Sequence, residues 1–148
     1  MKIKYDIQEI YKENEIHLCG RDKNEELVEL YQGILNLTGS VITAYSGGEA
    51  VRLTYAQIVR IYSENKKVYV RTREQSYEVK ERLYSLEERL PSGTFIRISN
   101  SEMINSDYIK RLDMSISGTI RLTLKNGDET YVSRRYVKTI KEALLGGK

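Results

Sequence analysis

The sequence predicts a mainly β fold of antiparallel sheets with two short helices, preceded by a small α/β N-terminal subdomain. Three features point there. From Ser40 onward the apolar residues come in short runs broken by Gly, Asn, Ser and charged clusters, which is the punctuation of strands and turns. Ahead of that point the stretch Glu25–Leu37 instead repeats its apolar residues at helical spacing. Finally, twelve Tyr against one Phe and no Trp supply rings suited to half-buried strands, where the ring packs and the hydroxyl stays wet.

Taken in order, Lys2–Ile7 reads as a strand and Ile16–Cys19 as a second, shorter one. In Glu25–Leu37 the side chains of Leu27, Leu30, Tyr31, Ile34 and Leu35 share a helix face, Asn24 can cap the start and Gly39 follows the end. An amphipathic helix must lie on something, so residues 1–39 are expected to form the small subdomain and residues 40–148 the body. Val41–Tyr45 and Ala50–Leu53 flank Ser-Gly-Gly and predict a hairpin, and Gln57–Tyr62 and Val68–Thr72 flank SENKK and predict another. Ser76–Val79 is a further strand. Helical spacing returns at Leu83, Leu86 and Leu90, and Pro91 with Gly93 stops it. Strands follow at Phe95–Ile98, Tyr108–Met114, Thr119–Leu124 and Glu129–Val132. Asn126-Gly127 predicts a type I′ turn in the last hairpin, because both residues tolerate positive φ. Val137, Ile140, Leu144 and Leu145 then form the apolar face of a closing helix.

Charge is unevenly spread along the 148 residues. The formal net charge is +3, yet residues 1–50 hold five Lys/Arg and nine Asp/Glu, and the rest hold 19 basic and 12 acidic side chains. A basic body fits an anionic partner; undirected drift of surface charge fits as well. One Cys excludes an intrachain disulfide and fits a reducing interior. The start lacks an apolar signal core, and no apolar run approaches the roughly 18 residues of a membrane span, so a cytoplasmic location is expected.

The residue types needed for catalysis are not arranged for it. His17 is the single histidine and stands two residues from Cys19; two ligands are too few for a metal site, and a serine triad would need His17 as its base in a segment without a nucleophile elbow. No glycine-rich phosphate loop precedes a helix, and Glu87 and Glu88 are consecutive on a helix and so point in different directions. The expectation is a protein that is not an enzyme, with no cofactor, metal or small-molecule substrate.

Polar residues at strand ends remain. Ser99-Asn100-Ser101 interrupts an apolar alternation; Asn100 can pair with a base edge such as adenine's while the hydroxyls meet phosphate, or it can close an Asx-type turn on its own backbone. Asn65-Lys66-Lys67 forms a solvated hairpin tip. Arg134 and Arg135 open the last helix, a mildly unfavourable place for cations, which is either tolerated or repaid by holding phosphate or guanine.

Four segments occur together in an order that resembles the LytTR family of bacterial DNA-binding domains, over about Val41–Leu145. YAQIVRIYSENKKVYVRT is similar to that family's opening hairpin and LYSLEERL to its internal helix. FIRISNSEMINSDYIKRL resembles its most specific segment, a Phe-x-Arg strand leading to a polar triplet and an apolar-Asn pair, and NGDETYVSRRYVKTI its last hairpin and the Ser-Arg start of the final helix. The resemblance implies an elongated series of antiparallel sheets whose strand-end loops, rather than a recognition helix, enter adjacent major grooves of double-stranded DNA. It places Lys66 and Lys67 in the first contacting loop, Ser99, Asn100 and Ser101 in the second, and Arg134 and Arg135 in the third. Base reading then falls to Asn100 and Arg135, with Lys66 third, and phosphate contact to Lys67, Arg97, Ser101, Arg134 and Lys138. Asn105 matches the family's Asn in a structural position. The middle triplet departs from the common His-Arg order, which bears on the recognition sequence rather than the binding mode.

The same resemblance implies a transcriptional regulator, here a compact stand-alone form without a receiver domain, acting as a homodimer on repeated half-sites about one helical turn apart. It also implies a small membrane protein that sequesters the regulator, with the N-terminal part as candidate dimer or partner surface. The competing class is a protein-interaction module that partners a membrane or signalling protein, its basic surface incidental. Single-stranded RNA binding would need exposed rings on one sheet face, whereas Tyr62, Tyr69 and Tyr77 are spaced as ordinary strand packing.

Overall fold

A computed structural model describes residues 16–22, 24–37 and 41–146 of the chain. The strand expected over Lys2–Ile7 lies outside the described residues. The chain divides into two compact units, Met1–Thr38 and Gly39–Lys148.

In the first unit, helix α1 spans Glu25–Leu37. The Asn24 side-chain carbonyl accepts from the Leu27 amide at 2.9 Å, satisfying one of the amide donors that a helix start leaves open. Glu25 and Glu26 occupy the first turn, where negative charge suits the helix dipole. Residues 16–20 are exposed and irregular, not the short strand expected at Ile16–Cys19. Four residues without a ladder have no reason to extend, since water satisfies their backbone equally well.

Among its described residues the second unit holds ten strands: β1 Val41–Ser46, β2 Glu49–Thr54, β3 Arg60–Glu64, β4 Lys67–Arg71, β5 Ser76–Val79, β6 Phe95–Ser99, β7 Glu102–Asn105, β8 Ile109–Asp113, β9 Ile120–Leu124 and β10 Glu129–Val132. Helix α2 spans Leu83–Arg89 and α3 spans Val137–Leu145. Seven strands form one sheet in the order β2-β1-β5-β4-β3-β7-β6, and β10-β9-β8 form a second. Every pairing is antiparallel.

Strand β7 has no counterpart among the strands read from the sequence. All four of its residues, Glu102, Met103, Ile104 and Asn105, are buried, so the polar-apolar alternation that betrays a half-buried strand is missing. The last hairpin also differs from expectation. Gly127 alone has positive φ, +93°; its amide donates to the Leu124 carbonyl at 2.9 Å and the Asn126 side chain accepts from the Asp128 amide at 3.1 Å. That is a type I turn closed by a glycine bulge, in which the Asn126 side chain serves its own backbone. Turns with both central residues at positive φ stand instead at Gly47-Gly48 (+57° and +82°) and Asn65-Lys66 (+50° and +64°). The strand expected from Gln57 starts at Arg60, because Tyr55–Gln57 form a 3₁₀ turn whose Gln57 side chain accepts from the Thr54 amide at 2.8 Å.

The β6–β7 hairpin separates two cores. Phe95 and Met103 pack with Ile42, Leu53, Ile61, Val70 and Leu86 on one side. Ile96, Ile98 and Ile104 pack with Ile120, Leu122, Val132 and Ile140 on the other. At its base the buried Asn105 donates to the Ile58 carbonyl at 2.8 Å and accepts from the Asp107 amide at 3.0 Å, so both ends of its amide are used.

A half-buried ionic cluster ties the sheets together beside the second core. Arg60 reaches Glu102 at 2.7 Å and Asp128 at 3.2 Å, Arg71 reaches the same Asp128 oxygen at 3.3 Å, and the Thr130 hydroxyl donates to Glu102 at 2.5 Å. Burial pushes the Asp128 carboxyl up, but the neighbouring Asn126 amide, the hydrogen bond from Arg60 and the charges of Arg60 and Arg71 outweigh it and hold the group below its ordinary value.

Two expectations follow. Asn105→Ala strands a buried carbonyl and an amide, and urea unfolding should show a loss of about 2 kcal/mol. Because the Asp128 pKa is lower folded than unfolded, its contribution is complete above the ordinary carboxylate range and disappears as pH falls through the depressed value. Asp128→Asn should therefore lose about 1–3 kcal/mol at neutral pH, and thermal melts should show the gap to wild type closing below about pH 4.

Candidate nucleic-acid interface

Three turns of the second unit are brought to one end by backbone hydrogen bonds. Strand β3 runs toward the Asn65-Lys66 tip beside β7, and the Ser63 amide donates to the Ser101 carbonyl at 2.8 Å. Strand β6 runs the same way into Ser99–Ser101, and its Ile98 carbonyl accepts from the Ser133 amide at 2.9 Å. The 65–66 tip, the 99–101 turn and the segment from Ser133 therefore follow one another along one edge of the unit.

The first turn holds Lys66 at φ +64°, a left-handed conformation that a glycine would take without cost. Lys66 and Lys67 are exposed, and Lys67 lies 3.6 Å from Glu78. Such an exposed pair holds its partners weakly and can be exchanged for another anion.

The second turn is braced from inside the protein. A register shift between Arg97 and Ser99 lifts the chain out of the ladder. The Arg97 guanidinium then donates through Nε to the Ser99 carbonyl at 2.6 Å, through Nη2 to the Asn100 carbonyl at 2.5 Å, and through Nη1 to Glu87 at 3.2 Å. Arg97, expected at phosphate, thus has much of its donor capacity committed to the turn itself. The Ser99 hydroxyl accepts from the Ser101 amide at 3.2 Å and lies 3.3 Å from the Ser101 hydroxyl. It is therefore Ser99, not Asn100, whose side chain closes the turn on its backbone. The Asn100 side-chain carbonyl accepts instead from the Tyr136 hydroxyl at 3.1 Å.

The third segment starts at Ser133. Arg134–Tyr136 form a 3₁₀ turn and α3 begins only at Val137, so the two arginines precede the helix rather than open it. Both are exposed. A side chain at Gly118, φ +79°, would come within 3.1 Å of Arg134 Nε, so the β8–β9 connection lies directly against Arg134. Lys138 is exposed and 3.9 Å from Glu142, one turn on. Lys66, Arg134 and Arg135 have no ion-pair partner among the described residues.

The structure thus gathers Lys66, Lys67, Ser99, Asn100, Ser101, Arg134 and Arg135 at adjacent strand ends, braced by Arg97, while Lys138 stands on the first turn of α3. Tyr136 was not singled out from the sequence; its one signal is a ring following two arginines, which does not reveal a contact 36 positions away. Among the described residues no group of three or more His, Cys, Asp or Glu could hold a metal ion, and no helix is long and apolar enough to cross a membrane.

Comparison with known proteins gives a consistent result. The LytTr DNA-binding domain family matches residues 48–145. The LytTr DNA-binding domain of a methyl-accepting/DNA response regulator from Bacillus cereus superposes with a TM-score of 0.69 at 27% identity, covering 71% of this chain and 96% of that one. It bears out the mainly β antiparallel fold. A protein named an HTH-type transcriptional regulator from Staphylococcus aureus strain NCTC 8325 / PS 47 is 54% identical over 50 residues, 34% of this chain and 34% of that protein. Its counterpart from strain MRSA252 is 52% identical over the same length and shares. The chain thus spans about a third of the length of these relatives. With most of its length inside the family match, the chain belongs to the LytTr DNA-binding domain family.

Proposed function

We propose that this protein is a transcriptional regulator that reads double-stranded DNA by sequence, presenting the 65–66, 99–101 and 133–136 segments to the major groove. The observation that carries the reading is their alignment at one end through the Ser63–Ser101 and Ser133–Ile98 backbone bonds. Neighbouring strands lie roughly 5 Å apart, so the first two turns are separated by about 10 Å, a spacing suited to following a groove. Loops rather than helices fit this role, because α1, α2 and α3 are separated in the chain by strands and no two form a helix-turn-helix pair.

The residues divide by chemistry. Asn100 and Arg135 are base readers, Asn through an amide that both donates and accepts, Arg through a fork that matches guanine. Lys66 reaches a base or its phosphate from the tip. Lys67, Ser101, Arg134 and Lys138 meet phosphates, and Arg97 holds the middle turn in shape while its remaining donors face the backbone of the DNA. The regulator binds repeated half-sites as a homodimer, and Met1–Thr38, with Val28 and Tyr31 exposed on α1, is the surface for a second copy or a small membrane-protein regulator. The name carried by the staphylococcal relatives supports the regulatory role.

Mobility shifts over a salt series, on a duplex the protein selects from a randomised pool, test this reading. Affinity should fall steeply with salt. Asn100→Ala and Arg135→Ala should each cost about 1–3 kcal/mol and relax selectivity, whereas Lys67→Ala should weaken all duplexes alike. Equal binding to single strands, or two alanine variants that discriminate like wild type, would refute it. Lys66→Gly relieves the left-handed backbone and should stabilise the fold by up to about 1 kcal/mol in chemical denaturation while weakening DNA binding.

A further inference from the structure

Asn100 is exposed, yet its side chain is tied at one end, and the tie comes from the neighbouring DNA-facing segment rather than from its own turn. The Tyr136 hydroxyl donates to Asn100 Oδ1 at 3.1 Å across 36 positions of chain. The Tyr136 ring is itself held, because it packs against the core of Ile96, Ile98, Ile104, Ile120, Leu122, Val132 and Ile140. Meanwhile Arg97 fixes the main chain of Asn100 by donating to its carbonyl at 2.5 Å. The residue is thus gripped twice, through its backbone from below and through its amide from the side.

We infer that Tyr136 is a positioning residue for base recognition: it holds the Asn100 amide in one orientation, Nδ2 outward, and couples the second DNA-facing turn to the third. This deepens the DNA-reading proposal and rests on it. An exposed Asn samples several rotamers, and freezing one on binding costs free energy that a preset rotamer avoids. With Oδ1 engaged by the phenol, the amino group is the free edge, directed toward an acceptor such as purine N7, while the second Oδ1 lone pair remains for the adenine amino group. Tyr136 directly follows Arg135, so displacement of the 3₁₀ turn by an Arg135 contact is transmitted to Asn100 through this bond. Removing the hydroxyl leaves the ring, its packing and the fold in place.

The test is Tyr136→Phe, read in two ways. In the free protein, side-chain amide NMR should show the Asn100 NH₂ group ordered in wild type and averaged in the variant, with an unchanged melting temperature. With a duplex selected by the wild-type protein and a scrambled duplex of equal length, Tyr136→Phe should weaken selected-duplex binding about five- to tenfold and leave scrambled binding unaltered. In an Asn100→Ala background the same substitution should then change selected-duplex affinity by less than about twofold. An Asn100 amide equally ordered without the hydroxyl overturns the inference, as does an undiminished penalty in the Asn100→Ala background, which would make Tyr136 an independent contact. If wild type fails to prefer any duplex, the DNA-reading proposal falls, while the free-protein spectrum still decides whether Tyr136 positions Asn100.

Discussion

The structure of the second unit depends on a hairpin that has no solvent face. Strands β6 and β7 send Phe95 and Met103 into one core and Ile96, Ile98 and Ile104 into the other. Burying an aliphatic or aromatic side chain contributes about 1.5–3 kcal/mol, so the hairpin is held from both sides and a one-residue slip would exchange the two sets. Because strand β7 pairs with β3 and the end of β6 bonds to Ser133, the hairpin also fixes where the other two turns stand. Core packing, backbone ladder and the geometry of the candidate interface are therefore one constraint.

Polar groups finish what the apolar wall begins. Arg60, Arg71, Glu102, Asp128 and Thr130 join the two sheets, where partial burial makes each charge dependent on its partner. At the near end Arg97 converts a bulge into a shaped turn, and Tyr136 reaches over from the third segment. An interface built this way is largely rigid before a ligand arrives, which lowers the ordering cost of recognition. The charges at its tips are left comparatively free: Lys66, Arg134 and Arg135 lack ion-pair partners among the described residues, and the partners of Lys67 and Lys138 are exposed and readily exchanged.

How much of this was legible depended on whether a residue announces itself locally. Alternation in Val41–Ser46 or Ile120–Leu124, and the capped periodicity of Glu25–Leu37, are local patterns, and the elements stand where those patterns put them. Strand β7 was hidden because burial on both faces erases alternation. The last turn was misread because Asn126 can satisfy its neighbour's amide instead of adopting positive φ, a choice that sequence leaves open. In the candidate site, the basic and polar residues at strand ends were recognisable by type and by family pattern. What Arg97 and Tyr136 do was not, since a guanidinium folded back onto the carbonyls of its own turn and a bond across 36 positions are products of the packed fold.

If the end of the second unit defined by three turns receives the duplex, backbone amide NMR during titration with a selected duplex will show it residue by residue. Residues 65–66, 99–101 and 133–136 should shift or broaden together, while the opposite-end turns at Gly47-Gly48 and Asn126-Gly127 stay unmoved. Perturbations centred on those opposite-end turns or on α1, with the three turns silent, would place the duplex elsewhere and refute this assignment.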